Sequence, residues 1–281
     1  MEKSKARLAI LEKINEFEKN EWWDKDVEED PVTKPLMPNQ IDYLNKKLTS
    51  KIANFFANKA GTAFYEKLIK NKQFIIKEVK GIENFLSVKG GALITCNHFN
   101  VCDNYAVWRA IKPYMKGKKL WKVIKEGNYT NSPPPFGFIL RNCNTLPLSS
   151  NIETMKKFMT SISTLLKRGE KILIYPEQAM WWNYRKPRPC KVGAYKFAVN
   201  NNVPIIPVFI TMQDSNVLDG DGFYVQEYTI NFMPVIYPNS DLSKSENIEF
   251  MRNENYRLCK NKYEEVYGMP LEYAKEEIKN N

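Results

Sequence analysis

Ala92-Leu93-Ile94-Thr95-Cys96-Asn97-His98-Phe99-Asn100-Val101-Cys102-Asp103 is the stretch on which the reading of the fold turns. Ala92 to Cys96 reads as a buried strand, bounded by a polar turn. His98, the only histidine of the chain, falls in that turn, and Asp103 opens the helical pattern that runs to Ile111. Strand ends that border helix starts are where open α/β sheets place their chemistry. On one continuous helix a five-residue separation would put His98 and Asp103 on different faces. With His98 in the turn and Asp103 in the first helical turn, the carboxylate can instead fold back on the imidazole. That contact fixes the ring tautomer and frees the other nitrogen to accept a proton. The same spacing also arises by chance, and alone it fits an Asp103 N-cap beside a polar loop histidine.

The strand–helix alternation continues outward. Phe74 to Val79, Trp121 to Ile124, Ile172 to Tyr175, Ile205 to Ile210 and Tyr228 to Pro234 read as strands; Ile152 to Lys167 and Gly193 to Asn200 read as helices. This predicts an α/β fold with a mostly buried central sheet flanked by helices, its core spanning about 86–240. Residues 241–281 read as a polar helical segment. Residues 1–85 read as an N-terminal helical extension: Ala6 to Phe17, a break at Pro31, Pro35 and Pro38, then Ile41 to Lys72. The second helix carries Ile52, Phe55, Phe56, Phe64, Tyr65, Leu68 and Ile69 interleaved with lysines, with Trp22 and Trp23 upstream. Such a face suits either a bilayer interface or the protein's own core.

Composition narrows the classes. Of 281 residues 43% are hydrophobic, which is ordinary for a soluble globular chain. There is no secretory pattern at the start and no run near the roughly 18–20 apolar residues of a spanning helix. Five scattered cysteines without a CxxC pair suggest free thiols in a reducing cytoplasm. Cys96-x-His98-x3-Cys102 lacks the paired spacing and second cluster of a zinc site, so no metal is expected. The formal charge of +10 favours anionic partners such as phospholipid headgroups or phosphorylated carriers, or simply coats a solvated face. A nucleic-acid role is excluded for want of any recognition module.

Three later blocks complete the pattern: Ile172-Leu-Ile-Tyr-Pro-Glu-Gln178, Lys191-Val-Gly-Ala-Tyr195, and Asn202-Val-Pro-Ile-Ile-Pro-Val208. With these, the chain over about 80–240 resembles the PlsC-like glycerolipid acyltransferases. Asn97-His98 to Asp103 is similar to that family's NHxxxxD block, Tyr175-Pro176-Glu177 to the start of FPEGTR, and Val203 to Pro207 to VPIIPV. Lys191, Gly193 and Ala194 fit the intervening KxGA. The resemblance implies a one-step O-acyl transfer from acyl-CoA or acyl-carrier protein to a lysolipid hydroxyl, with no further cofactor. His98 would be the general base and Asp103 its support, with Asn97, Glu177 and Lys191 at substrate-binding positions. It also implies a cytoplasmic protein held peripherally on an anionic membrane face. Residues alone leave open a buried structural carboxylate at Glu177, and a non-catalytic lipid-binding member of the same fold.

Two departures concern the acceptor. Gln178-Ala179-Met180 stands where the family has Gly-Thr-Arg, and Thr145-Leu-Pro-Leu-Ser-Ser150 has serine where a phosphate-binding arginine is expected. A guanidinium grips phosphate with a geometry that neither methionine nor serine supplies. Arg185, Lys186 and Arg188 after Trp181-Trp182, and Arg141 in Gly137-Phe-Ile-Leu-Arg141, are the candidate replacements. Trp181 and Trp182 are expected at the bilayer surface, along the acyl channel, or packed beneath the basic loop.

Overall fold

The computed structural model describes residues 2–28 and 33–275. Pro31, one of the three expected breaks, lies outside the described residues. Among the described residues seven strands form one sheet in the order β1-β7-β6-β2-β5-β3-β4. They are β1 (Ile75–Lys80), β2 (Ala92–Cys96), β3 (Leu120–Ile124), β4 (Thr145–Pro147), β5 (Lys171–Ile174), β6 (Ile205–Leu218) and β7 (Tyr224–Phe232). Only β6 and β7 pair antiparallel; every other pair is parallel. The central strands β2 and β5 are buried at every residue, as the unbroken apolar runs require of strands covered on both faces.

Helices cover both faces. On one side α3 (Ile82–Ser87), α4 (Asp103–Ile111) and the second half of α2 (Leu48–Lys70) enclose a core containing Ile94, Leu173, Val107 and Ile206. On the other, α7 (Ile152–Lys167), α8 (Gly193–Asn201) and α9 (Lys244–Tyr267) enclose Leu93, Phe158, Ile172 and Tyr195. Helix α7 shows why sequence dictates packing. Asn151 caps it by accepting from Thr154 N at 3.0 Å, and Thr154, Phe158, Ile162 and Leu165 form one buried stripe. Gly91, ahead of β2, is pressed against this layer: a Cβ there would lie 2.1 Å from the carbonyl oxygen of Leu166.

Several expectations need correction. The helix foreseen from Ile41 begins at Leu48, because Asp42 accepts from Lys47 N at 2.8 Å and holds the preceding residues in a turn. β6 runs to Leu218 rather than Ile210. Its polar end rises past the core and is held by pairing with β7, not by apolar burial. β4 is a three-residue edge strand ending in Pro147, too short to show periodicity. α5 (Glu126–Thr130) and α6 (Phe136–Asn142) lie between β3 and β4 and are short; Pro135 stands at the α6 N-cap and hid its pattern. The boundary at residue 85 also separates β1 from the sheet that it completes.

The N-terminal extension divides in two. α1 (Lys5–Lys19) lays Ile14 and Phe17 against Trp181 and Ala179, so it is part of the globule. In α2, Tyr65, Leu68 and Ile69 pack on the core, whereas Leu48, Ile52, Phe55 and Phe56 are exposed at 72, 50, 63 and 55%. The core reading therefore holds for Tyr65, Leu68 and Ile69, while the earlier apolar residues stay exposed. Among the described residues no helix is long and apolar enough to cross a membrane.

Candidate active site

β2 delivers the turn that carries His98, and the start of α4 delivers Asp103. The carboxylate folds back: its Oδ2 lies 3.0 Å from His98 Nδ1 and accepts from Phe99 N at 2.8 Å and Asn100 N at 2.9 Å. A single oxygen thus gathers the ring and two backbone donors, closing the turn and setting the imidazole in one stroke. Asp103 is fully buried while the His98 side chain is 18% exposed, so one member is fixed in the protein and the other faces outward. Burial raises the Asp103 carboxyl above its ordinary range, opposed by its bonds to His98 and the two backbone donors. With Nδ1 engaged by the carboxylate, Nε2 is the nitrogen left to exchange a proton with a substrate. Hydrogen bonds place the proton on Nδ1 by chemistry, since a carboxylate there can only accept.

Tyr175, at the end of β5, stacks on the imidazole with centroids 3.9 Å apart and planes 16° apart. Its hydroxyl donates to Asn104 Oδ1 at 3.2 Å, which ties the ring to the helix that carries Asp103. Neither Tyr175 nor Asn104 is a candidate site residue on sequence grounds. The signal is present only as position, since Tyr175 immediately precedes Pro176-Glu177 and Asn104 follows Asp103.

Glu177 is buried and faces inward. It accepts from His98 N at 3.2 Å and Arg188 N at 3.0 Å, and forms an ion pair with Arg188 Nη2 at 2.9 Å. The Arg188 guanidinium also donates to the carbonyls of Trp23, His98 and Ala179, and lies 4.5 Å over the Trp181 ring. Arg188 is therefore not a phosphate ligand in an exposed loop; it is a buried clamp joining the His98 turn to the Glu177 turn. Gln178 sits at φ +68°, the left-handed conformation for which glycine is the usual residue.

The remaining candidates are engaged elsewhere. Asn97 holds β2 to β6, donating to Ile210 O at 3.0 Å and accepting from Ile210 N at 2.8 Å, so its amide is structural. Lys186 pairs with buried Glu18 at 2.5 Å, Arg185 with Asp214 at 2.5 Å, and Lys191 with Asp24 at 2.8 Å. Arg141 donates to the carbonyls of Tyr129 and Ser132 at 3.3 Å, beneath the α5–α6 connection. None of these contacts brings the four cations together at His98. Trp181 is fully buried and Trp182 nearly so, which overturns their placement at a bilayer surface. Trp23 likewise packs, against Trp181 at 6.0 Å and Tyr273 at 4.5 Å, whereas Trp22 is partly exposed under Lys25. All five cysteines are free, and burial raises the thiol pKa of each, so none is poised as a nucleophile.

Residues 77–211 match the family model described as Acyltransferase. No curated protein matches the chain. Among solved structures it is similar to that of PlsC from Thermotoga maritima, described as a 1-acyl-sn-glycerophosphate (LPA) acyltransferase. The two share 18% identity at a TM-score of 0.46, covering 79% of this chain and 81% of that one. The matched span begins in β1, ends in β6, and holds His98, Asp103 and Glu177 in the order set out above. Residues 77–211, a little under half of the chain, are thus similar to the Acyltransferase family.

Proposed function

We propose that the protein transfers an acyl group from a thioester, acyl-CoA or acyl-carrier protein, to a hydroxyl of a lysophosphatidic-acid-like or other lipid acceptor. In this reading His98 Nε2 takes the hydroxyl proton as the oxygen attacks the thioester carbonyl, Asp103 steadies the imidazolium, and the thiol leaves carrying the proton. No acyl-enzyme is required. The observation that carries the reading is the His98–Asp103 pair at 3.0 Å, with the acid buried and the base partly exposed. The displaced arginines leave the acceptor broad within lipids bearing a free hydroxyl. A membrane-surface location is supported by the exposed Leu48, Ile52, Phe55 and Phe56 of α2, continued by Phe136 of α6, whose ring lies 5.6 Å from that of Phe64. Exposed lysines border this patch at positions 46, 47, 51 and 59, as expected of a surface that meets anionic headgroups at the cytoplasmic face.

The test is thiol release from acyl-CoA and acyl-carrier protein against a panel of lysolipids, comparing the wild type with His98→Ala. Loss of the base is expected to lower turnover by roughly 10²–10⁴-fold. Wild-type activity no greater than that of the variant across the panel would remove the catalytic reading and leave a lipid-binding member of the fold.

A further inference from the structure

Beside the His98 turn a cleft of about 680 Å³, open to solvent, runs along the sheet face between α2, α4, β3 and α6. One end begins at Asn104, the partner of the Tyr175 ring that stacks on His98. Its walls are mainly apolar and aromatic, from Tyr65, Trp108, Ile124 and Ile139, with amide side chains at Asn58 and Asn144. Lys122, in the middle of β3, projects into it beside Leu120 and Ile124, and its ammonium meets no acceptor among the described residues. Burial depresses the Lys122 pKa, and no carboxylate opposes that effect. Lys122 is half-buried in the wall of this open cleft, so its charge is incompletely hydrated and is placed to meet an anion that enters. The other lysines of the interior have partners: Lys171, for example, donates to the carbonyls of Val88 and Gly90.

The sheet register measures how far Lys122 is from the chemistry. Lys122 lies opposite Leu173, which lies opposite Ile94. His98 is four residues beyond Ile94, so the backbone offset is at most about 13 Å along the strands and about 10 Å across two strand spacings, or roughly 16 Å between the two Cα positions. A glycerol phosphate beside its own reacting hydroxyl is only a few bonds long and falls short. An arm of about a dozen covalent bonds, each about 1.5 Å, fits the span.

We propose that this cleft is a substrate subsite ending in an anion-binding position at Lys122, for a phosphate or carboxylate carried about a dozen bonds from the reacting carbonyl. The proposal rests on the acyl-transfer reading for the identity of that carbonyl. Two sources share the chemistry: the phosphate at the end of the pantetheine arm of the donor, and a carboxylate at the far end of the acyl chain itself. The apolar walls suit either; the amides of Asn58 and Asn144 are engaged with Asn54 and with each other.

The two sources separate by calorimetric binding in a His98→Ala background, which reports whether or not turnover occurs. One pair of probes is hexadecanoyl-CoA and hexadecanoyl-pantetheine, which lacks the phosphate. The other is dodecanoyl-pantetheine and the pantetheine monothioester of dodecanedioic acid. Adding Lys122→Met is expected to raise Kd for the anion-bearing member of one pair by about tenfold or more, with its neutral counterpart unchanged, and Lys122→Arg is expected to retain binding. Equal effects on both members of each pair, or no effect on any probe, would overturn the anion position. Removing a half-buried cation that has no partner among the described residues should leave folding intact, and Gly61→Leu offers a second, independent block. A Cβ at Gly61 would already stand 3.6 Å from Cys143 Sγ and Ile139 Cγ2, so a longer side chain intrudes on the cleft and should weaken every probe. Unchanged binding in Gly61→Leu would count against the cleft itself. The acyl-transfer reading fails on a different result, an active His98→Ala enzyme.

Discussion

Asp103 does three tasks with one oxygen, and that economy makes its replacement informative. Asparagine can keep an acceptor toward Phe99 N and Asn100 N and place its amide where Oδ1, buried and without a partner among the described residues, now sits. The charge is lost while the turn survives. Asp103→Asn should therefore lower turnover by roughly 10²–10⁴-fold in the thiol-release assay. Its stability should move the other way. Burial raises the carboxyl pKa above 3.8 in the folded state, so the stability linked to its protonation is full below 3.8 and lost as pH rises through the folded value. The asparagine side chain of the variant does not titrate. The urea midpoint of the wild type relative to Asp103→Asn should accordingly fall as pH climbs from about 3.8 toward neutrality, and a rising difference would contradict the assigned direction. At this scale the sequence showed which residues to suspect. It did not show that Tyr175 stacks on the imidazole, because a contact between β5 and the β2 turn has no spacing to read.

Among the elements, the turn after β2 and the turn after β5 are joined by Glu177 and Arg188, and α1 is brought to the same place by Trp23, Phe17 and Trp181. The basic run Arg185-Lys-Pro-Arg188 looks like an exposed loop in sequence because nothing local reveals the carboxylates that meet it. Glu177, Glu18 and Asp214 come from three separate segments. Removing one partner of a buried pair leaves the other charge stranded, at a cost of about 3–5 kcal/mol, whereas removing both is far milder. Arg188→Met should lower the urea-unfolding free energy by about that amount, and Glu177→Gln combined with Arg188→Met should recover a substantial part of it. Additive losses in the double variant would mean that the two side chains do not act as a pair. Turnover should fall in Arg188→Met as well, since the guanidinium holds the His98 carbonyl.

For the molecule as a whole, the open question is where the uncovered half of α2 rests. The exposed rings of Phe55 and Phe56 contribute little to the core, and their replacement should alter folding stability by no more than about 0.5 kcal/mol. Phe55→Ser with Phe56→Ser should nevertheless abolish flotation with vesicles containing anionic lipid. The wild type, at a formal charge of +10, should bind neutral vesicles more weakly and release from anionic ones as salt is raised. Flotation of the double variant equal to that of the wild type would remove this face from the membrane. The same helix shows where sequence reading stops. Its aromatic periodicity established a helix with an apolar face, because side-chain spacing is a local property. Whether that face was covered depended on α4 and α6: α6 meets α2 from Asn54 onward, yet the side carrying Phe55 and Phe56 stays exposed. The sequence by itself determined the alternating strands and helices and the reach of Asp103 to the His98 turn, since each follows from periodicity or short spacing within one segment. Only the tertiary structure decided that Asn97, Glu177 and Arg188 hold the site together rather than face a substrate, that the basic loop is neutralised by distant carboxylates, and that Lys122 is left without a partner among the described residues. Those outcomes depend on which segments the seven-stranded sheet brings side by side, and burial and charge pairing are set by neighbours remote in the chain.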